Sequence, residues 1–138
     1  MYVLKKDFAT IAVNHHESLL HITWLRQTTD EEFKEVYKTG LETALQNELR
    51  YFLSDNSVGI NLAMALQSWV AAYGAEIIEH LKLERYARVV PQDVFHEIVS
   101  YKMYEYIETM DHSQLEFKVF YKLDDARRWL LQPLSPQN

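Results

Sequence analysis

The residues best placed to do chemistry stand in one short run, Asp55-Asn56-Ser57-Val58-Gly59, between a strand-like stretch and a helix-like one. In a parallel sheet, ligands gather at the carboxyl ends of strands, and a helix that starts there offers unpaired amides to an anion. A phosphate or acidic group suits that setting, and a phosphate carried on Ser57 would be held by the same amides. The plainer role for Asp55 and Ser57 is to cap the helix, because both are preferred capping residues. Asp55, Asn56, Ser57 and Gly59 are therefore the candidate binding or regulatory residues, and Ser57 is the candidate phosphorylation site.

Other chemistries find less support. The chain has no cysteine, which excludes disulfides, thiolate zinc sites and cysteine nucleophiles. His15-His16 is the one adjacent histidine pair, but neighbouring side chains of a strand point oppositely, so the pair meets one metal only in a bent corner. No HExxH pair accompanies it, and His80, His96 and His112 are scattered over expected helices and turns. No GxSxG elbow is present either. A hydrolase would instead need a histidine within hydrogen-bond reach of Ser54 or Ser57 in a pocket. Glu31, Glu32, Asp124 and Asp125 sit at expected helix starts, where they favour the helix dipole. These residues assign neither a metal nor a cofactor.

Tyr101, Met103, Tyr104, Tyr106 and Met110 crowd one expected helix and cover more than one of its faces. Tyrosine and methionine are enriched at interfaces. Tyr101, Met103 and Tyr104 are thus candidates for self-association or a partner contact, rimmed by Lys102, Glu105 and Glu108. The same helix can also close a small apolar pocket against the sheet.

The 138 residues suit one domain, expected over 1–132, with a flexible proline-containing tail at 133–138. Apolar residues make up 48% and charged residues 25%, enough to bury a core, which argues against disorder. Fourteen Lys+Arg against 20 Asp+Glu give a formal charge of −6, which argues against a nucleic-acid partner. The longest mainly apolar stretch, Ile60 to Tyr73, contains Asn61, Gln67 and Ser68 and falls short of the ~20 residues a bilayer needs. The opening residues show no export signal, so a cytoplasmic location is expected.

The elements that position these residues read clearly. Phe8–Val13 and Leu19–Trp24 flank a polar corner as a β-hairpin, with Leu20, Ile22 and Trp24 on one face. Thr29-Asp-Glu-Glu32 is a capping box for an amphipathic helix carrying Phe33, Val36, Tyr37, Leu41 and Ala44, whose apolar face also holds Gly40 for close packing. Leu49–Ser54 is a strand. A helix follows with Leu62, Leu66, Trp69 and Tyr73, ended or bent at Gly74, and Ile77, Ile78 and Leu81 form a second segment. Tyr86–Val90 is a strand stopped by Pro91. Pro91 or Asp93 starts the tyrosine-rich helix, Leu115–Phe120 alternates as a strand, and Asp124 or Asp125 caps a last helix. The order ββαβαβαβα predicts an α/β fold: a mixed, mostly parallel sheet of about five strands with helices packed on it.

In this order, Glu31-Glu-Phe33, Phe52-Leu-Ser-Asp55, Trp69, Arg85-Tyr-Ala-Arg-Val-Val-Pro91, Phe117-Lys-Val-Phe120 and Asp124-Asp-Ala-Arg-Arg-Trp-Leu130 resemble small bacterial STAS-like proteins of the SpoIIAA-like kind over nearly the whole chain. The resemblance implies a cytoplasmic, non-enzymatic regulatory or protein-binding module. Anti-sigma-factor antagonists of that superfamily are switched by phosphorylation of a serine in an Asp-Ser-Ser-Gly pattern. Ser57 occupies the comparable place, although here Val58 separates it from Gly59. Lipid-binding relatives imply the alternative of a carrier or sensor of a small apolar or anionic ligand.

Overall fold

The computed structural model describes residues 1–110 and 115–133, with backbone alone for 106–110. His112, the tail residues 134–138 and the side chains of Tyr106, Glu108 and Met110 lie outside the described residues. The elements are β1 (Tyr2–Lys5), β2 (Ala9–Asn14), β3 (Leu19–Trp24), α1 (Asp30–Gln46), β4 (Tyr51–Asp55), α2 (Met64–Ile78), β5 (Arg85–Val89), α3 (Val94–Met110), β6 (Glu116–Phe120) and α4 (Leu123–Leu131). The α/β class holds, and the strands lie in one six-stranded sheet in chain order. β1, β2 and β3 pair antiparallel, while β3 through β6 pair parallel.

β1 is an addition to the expected five strands. Its link to β2 is short and lacks glycine or proline, so no turn signal announces it. The Lys6 amide closes it on the Ala9 carbonyl at 2.9 Å.

Successive side chains of a strand face opposite ways, and the helices divide accordingly. Leu20, Ile22, Trp24, Phe52, Tyr86 and Arg88 face α1, α2 and α3. Leu19, Leu53, Ala87 and Val89 face α4 through Ala126 and Leu130. The hairpin, the shared face of β3 and the α1 capping box all stand as expected. Thr29 Oγ1 accepts from the Glu32 amide at 3.1 Å, and the Glu32 carboxylate accepts from the Thr29 amide at 2.9 Å. Gly40 lets α1 approach β3, since a Cβ there would meet Ile22 Cδ1 at 2.9 Å.

Three local expectations are corrected. α2 starts at Met64 on an Ala63 cap that makes no side-chain bond, so Asp55 and Ser57 do not cap it. It also runs unbroken through Gly74 to Ile78. An interior glycine costs about 1 kcal/mol, a cost the buried packing of Leu66, Val70 and Ala71 offsets. α4 is capped at Lys122 without a side-chain bond. Asp124 and Asp125 instead lie in its first turn, beside the positive helix end.

Candidate functional site

The run after β4 folds around its own polar groups. The Asn56 amide continues the sheet by donating to the Val89 carbonyl at 2.8 Å. The Asn56 side chain is fully buried; Oδ1 accepts from the Ile60 amide at 2.8 Å and Nδ2 donates to the Ile60 carbonyl at 3.3 Å. Asp55 is buried too, and its Oδ1 accepts from the Ser57 amide at 3.1 Å and from the Ser57 hydroxyl. Gly59 adopts φ +78°, and a Cβ there would also meet Pro91 Cγ at 2.9 Å, so only glycine fits. Asp55 and Asn56 therefore face inward, and Ser57 and Val58 are exposed. A phosphate on Ser57 would stand beside the Asp55 carboxylate, and the intervening residues to Met64 separate it from the α2 amides.

α3 packs its N-terminal turn against this loop. Asp93 Oδ1 caps the helix through the Phe95 amide at 2.8 Å, as expected for that residue. Asp93 Oδ2 lies 3.2 Å from His96 Nδ1, leaving the buried His96 Nε2 without a partner. Ser54 Oγ accepts from Trp24 Nε1 at 3.0 Å, and the Ser57 hydroxyl bonds Asp55. Neither serine bonds a histidine.

Tyr101, Met103 and Tyr104 are half-buried and turn toward the sheet. The Tyr101 hydroxyl accepts from the Val119 amide at 3.3 Å, Tyr104 donates to the Leu115 carbonyl, and Tyr104 stacks on Phe117 at 4.6 Å between centroids. They fasten α3 to β6. The outward face of α3 carries Val94, Phe95 and Ile98 instead.

Sequence reasoning missed Arg88. It stands on β5, only 8% exposed, at a cavity of about 40 Å³ enclosed by three helices and the sheet. Trp24, Phe33, Tyr37, Tyr86, Tyr104 and Phe117 supply most of its wall. The expected apolar pocket between α3 and the sheet is this cavity. No ion pair among the described residues includes Arg88, and its buried Nε has no hydrogen-bond partner. Burial pushes the guanidinium pKa down, opposed by the Tyr86 hydroxyl, which is hydrogen-bonded to it, and by the Tyr37 hydroxyl. Burial also pushes both phenols up, so neither ionises to supply a countercharge. A smaller cavity of about 20 Å³ shares Arg88 and Ser100 with the first and is lined also by His96, Phe95 and Asn61.

A wider hollow of about 470 Å³ lies on the α4 face, beside His15, Glu17, His21 and Arg127. Its arginine is already paired, Arg127 to Glu17 at 3.1 Å. Burial lowers the His21 pKa, partly opposed by Asp55. His15 and His16 are exposed in the β2–β3 corner, and no cluster of metal-ligating side chains forms among the described residues. No helix of the described residues is long and apolar enough to cross a membrane.

Comparison with protein-family models, curated proteins and solved structures finds no significant match to the chain.

Proposed function

We propose that this chain is a STAS-like, SpoIIAA-like binding module without catalysis of its own, which works in the cytoplasm by docking a partner protein at the carboxyl ends of β4 and β5. The observation that carries the reading is the apolar skin at that end. Val94, Phe95 and Ile98 on the first turns of α3 are 66%, 60% and 50% exposed, and Val58 in the neighbouring loop is 53% exposed. Large apolar side chains gathered on a surface mark interaction sites. The loop beside them is held by Asn56 and Gly59, so binding orders little additional backbone. Alternating strands and helices on a mixed sheet support the family assignment at the level of architecture.

The test compares wild type with a Phe95→Glu/Ile98→Glu variant of unchanged circular dichroism, by pull-down from the native lysate and by light scattering after gel filtration. The reading expects a partner that wild type retains and the variant loses. A dimer lost in the variant would reassign the face to self-association. Identical capture by both proteins, with both monomeric, would overturn it. Ser57→Asp, in the same assay, reports whether charge at that position releases the partner.

A further inference from the structure

We infer that Arg88 anchors an internal binding site for a short-chain carboxylate, with the carboxylate on the guanidinium and the apolar tail against the aromatic wall. The inference is independent of the outer face and holds whether or not that face docks a protein. Its basis is an unmet charge. A buried cation without a countercharge costs several kcal/mol, and among the described residues Arg88 has no carboxylate, only the neutral Tyr86 hydroxyl as a side-chain hydrogen-bond partner, and nothing at Nε.

Several observations narrow the class of ligand. Arg88 is the one cationic side chain lining the larger cavity, so a monoanion is neutralised there whereas a dianion would bury net negative charge. The other polar donors are largely committed: Trp24 Nε1 to Ser54, Ser100 Oγ to the His96 carbonyl, and the Tyr104 hydroxyl to the Leu115 carbonyl. That leaves the guanidinium with Nε free beside its bond to Tyr86, and its planar geometry matches a carboxylate. The rest of the wall is apolar and aromatic. At about 40 Å³, where one water needs roughly 10–15 Å³, the cavity admits only a compact tail. The smaller cavity, which also borders Arg88 and Ser100, lies between the 60–62 segment and α3.

The test is an NMR titration of wild-type protein that follows the Arg88 Nε–Hε signal, using acetate, propionate, butyrate, hexanoate and, separately, inorganic phosphate. The expected result is a saturable shift of that signal by carboxylates. Affinity should rise about fourfold for each added methylene and fall once the tail outgrows the cavity. Arg88→Met should lose at least tenfold in affinity with no loss of thermal stability, and Arg88→Lys should retain weaker binding. No saturable shift in wild type would overturn the inference. So would affinity that is flat along the series, phosphate that binds as tightly as butyrate, or an Arg88→Met protein that binds as wild type does. Should Arg88→Met fail to fold, the wild-type titration and Arg88→Lys still decide.

Discussion

Arg85 and Arg88 stand on the same strand, on opposite faces of the sheet, and both are buried, at 5% and 8% exposure. Their surroundings differ sharply. Arg85 Nη1 donates to the carbonyls of Trp129, Leu130 and Gln132 at 3.1, 3.1 and 2.8 Å. Those carbonyls end α4, where the helix dipole places partial negative charge. The guanidinium also lies over the Trp129 ring. Arg88 meets aromatic rings and a cavity instead, with its Nε unpartnered. One guanidinium is answered by three carbonyls and a ring, whereas the other has the neutral Tyr86 hydroxyl and no partner at Nε. A buried charge thus becomes informative only once its partners are counted.

The sharpest way to break the contrast is to remove each arginine in turn. Arg85→Met should destabilise by about 3 kcal/mol, because hydrogen bonds from a charged donor contribute about 1.5–3 kcal/mol. The melting temperature should fall by roughly 10 °C. Arg88→Met should leave stability unchanged or raise it, since the buried cation it removes costs several kcal/mol to desolvate, against about 1.5–3 kcal/mol for the lost bond to Tyr86. Paired thermal melts check both, and equal losses would erase the distinction drawn here.

Smaller effects refine it. Trp24→Phe removes the donor to Ser54 on the Arg88 side and should cost about 1 kcal/mol in chemical denaturation. Acid should act on the Arg85 side, through His21. Its folded pKa lies below the ordinary 6.5, chiefly from burial, so the folded state holds the neutral ring. The unfolded chain then binds more protons on acidification, and stability present above pH 6.5 declines as pH falls below it. His21→Gln should flatten that part of a stability–pH profile.

The two arginines also explain what was legible from the chain alone. Alternation locates β5, but in Tyr86-Ala-Arg-Val-Val90 it does not reveal whether the Arg88 face meets water. Burial follows only from helices on both faces, and an expectation of covered faces was the signal that could have exposed Arg88. The hairpin, the Thr29–Glu32 box and Gly40 were readable because their causes are local: period, cap chemistry and side-chain size. The Asp55–Gly59 loop was readable as a turn but not in its wiring. Asp55 and Asn56 satisfy amides within the loop, at Ser57 and Ile60, rather than the α2 terminus that their types suggested. Likewise the tyrosines of α3 were visible as a cluster, while their hydroxyl bonds to β6 and the preceding Leu115 depended on a helix–sheet contact distant in sequence.

The strand order has a further consequence. Each strand pairs with the one made just before it, so no later segment has to be threaded between two already joined. The sheet can therefore grow by accretion as the polypeptide leaves the ribosome, each hairpin or crossover adding to an edge that is already in place. α4 comes after every strand, and its final carbonyls reach back to Arg85. Until that helix is made, Arg85 stands among Leu19, Leu53, Ala87 and Val89 on an uncovered face of the sheet, a charge that interrupts a mainly apolar surface during synthesis.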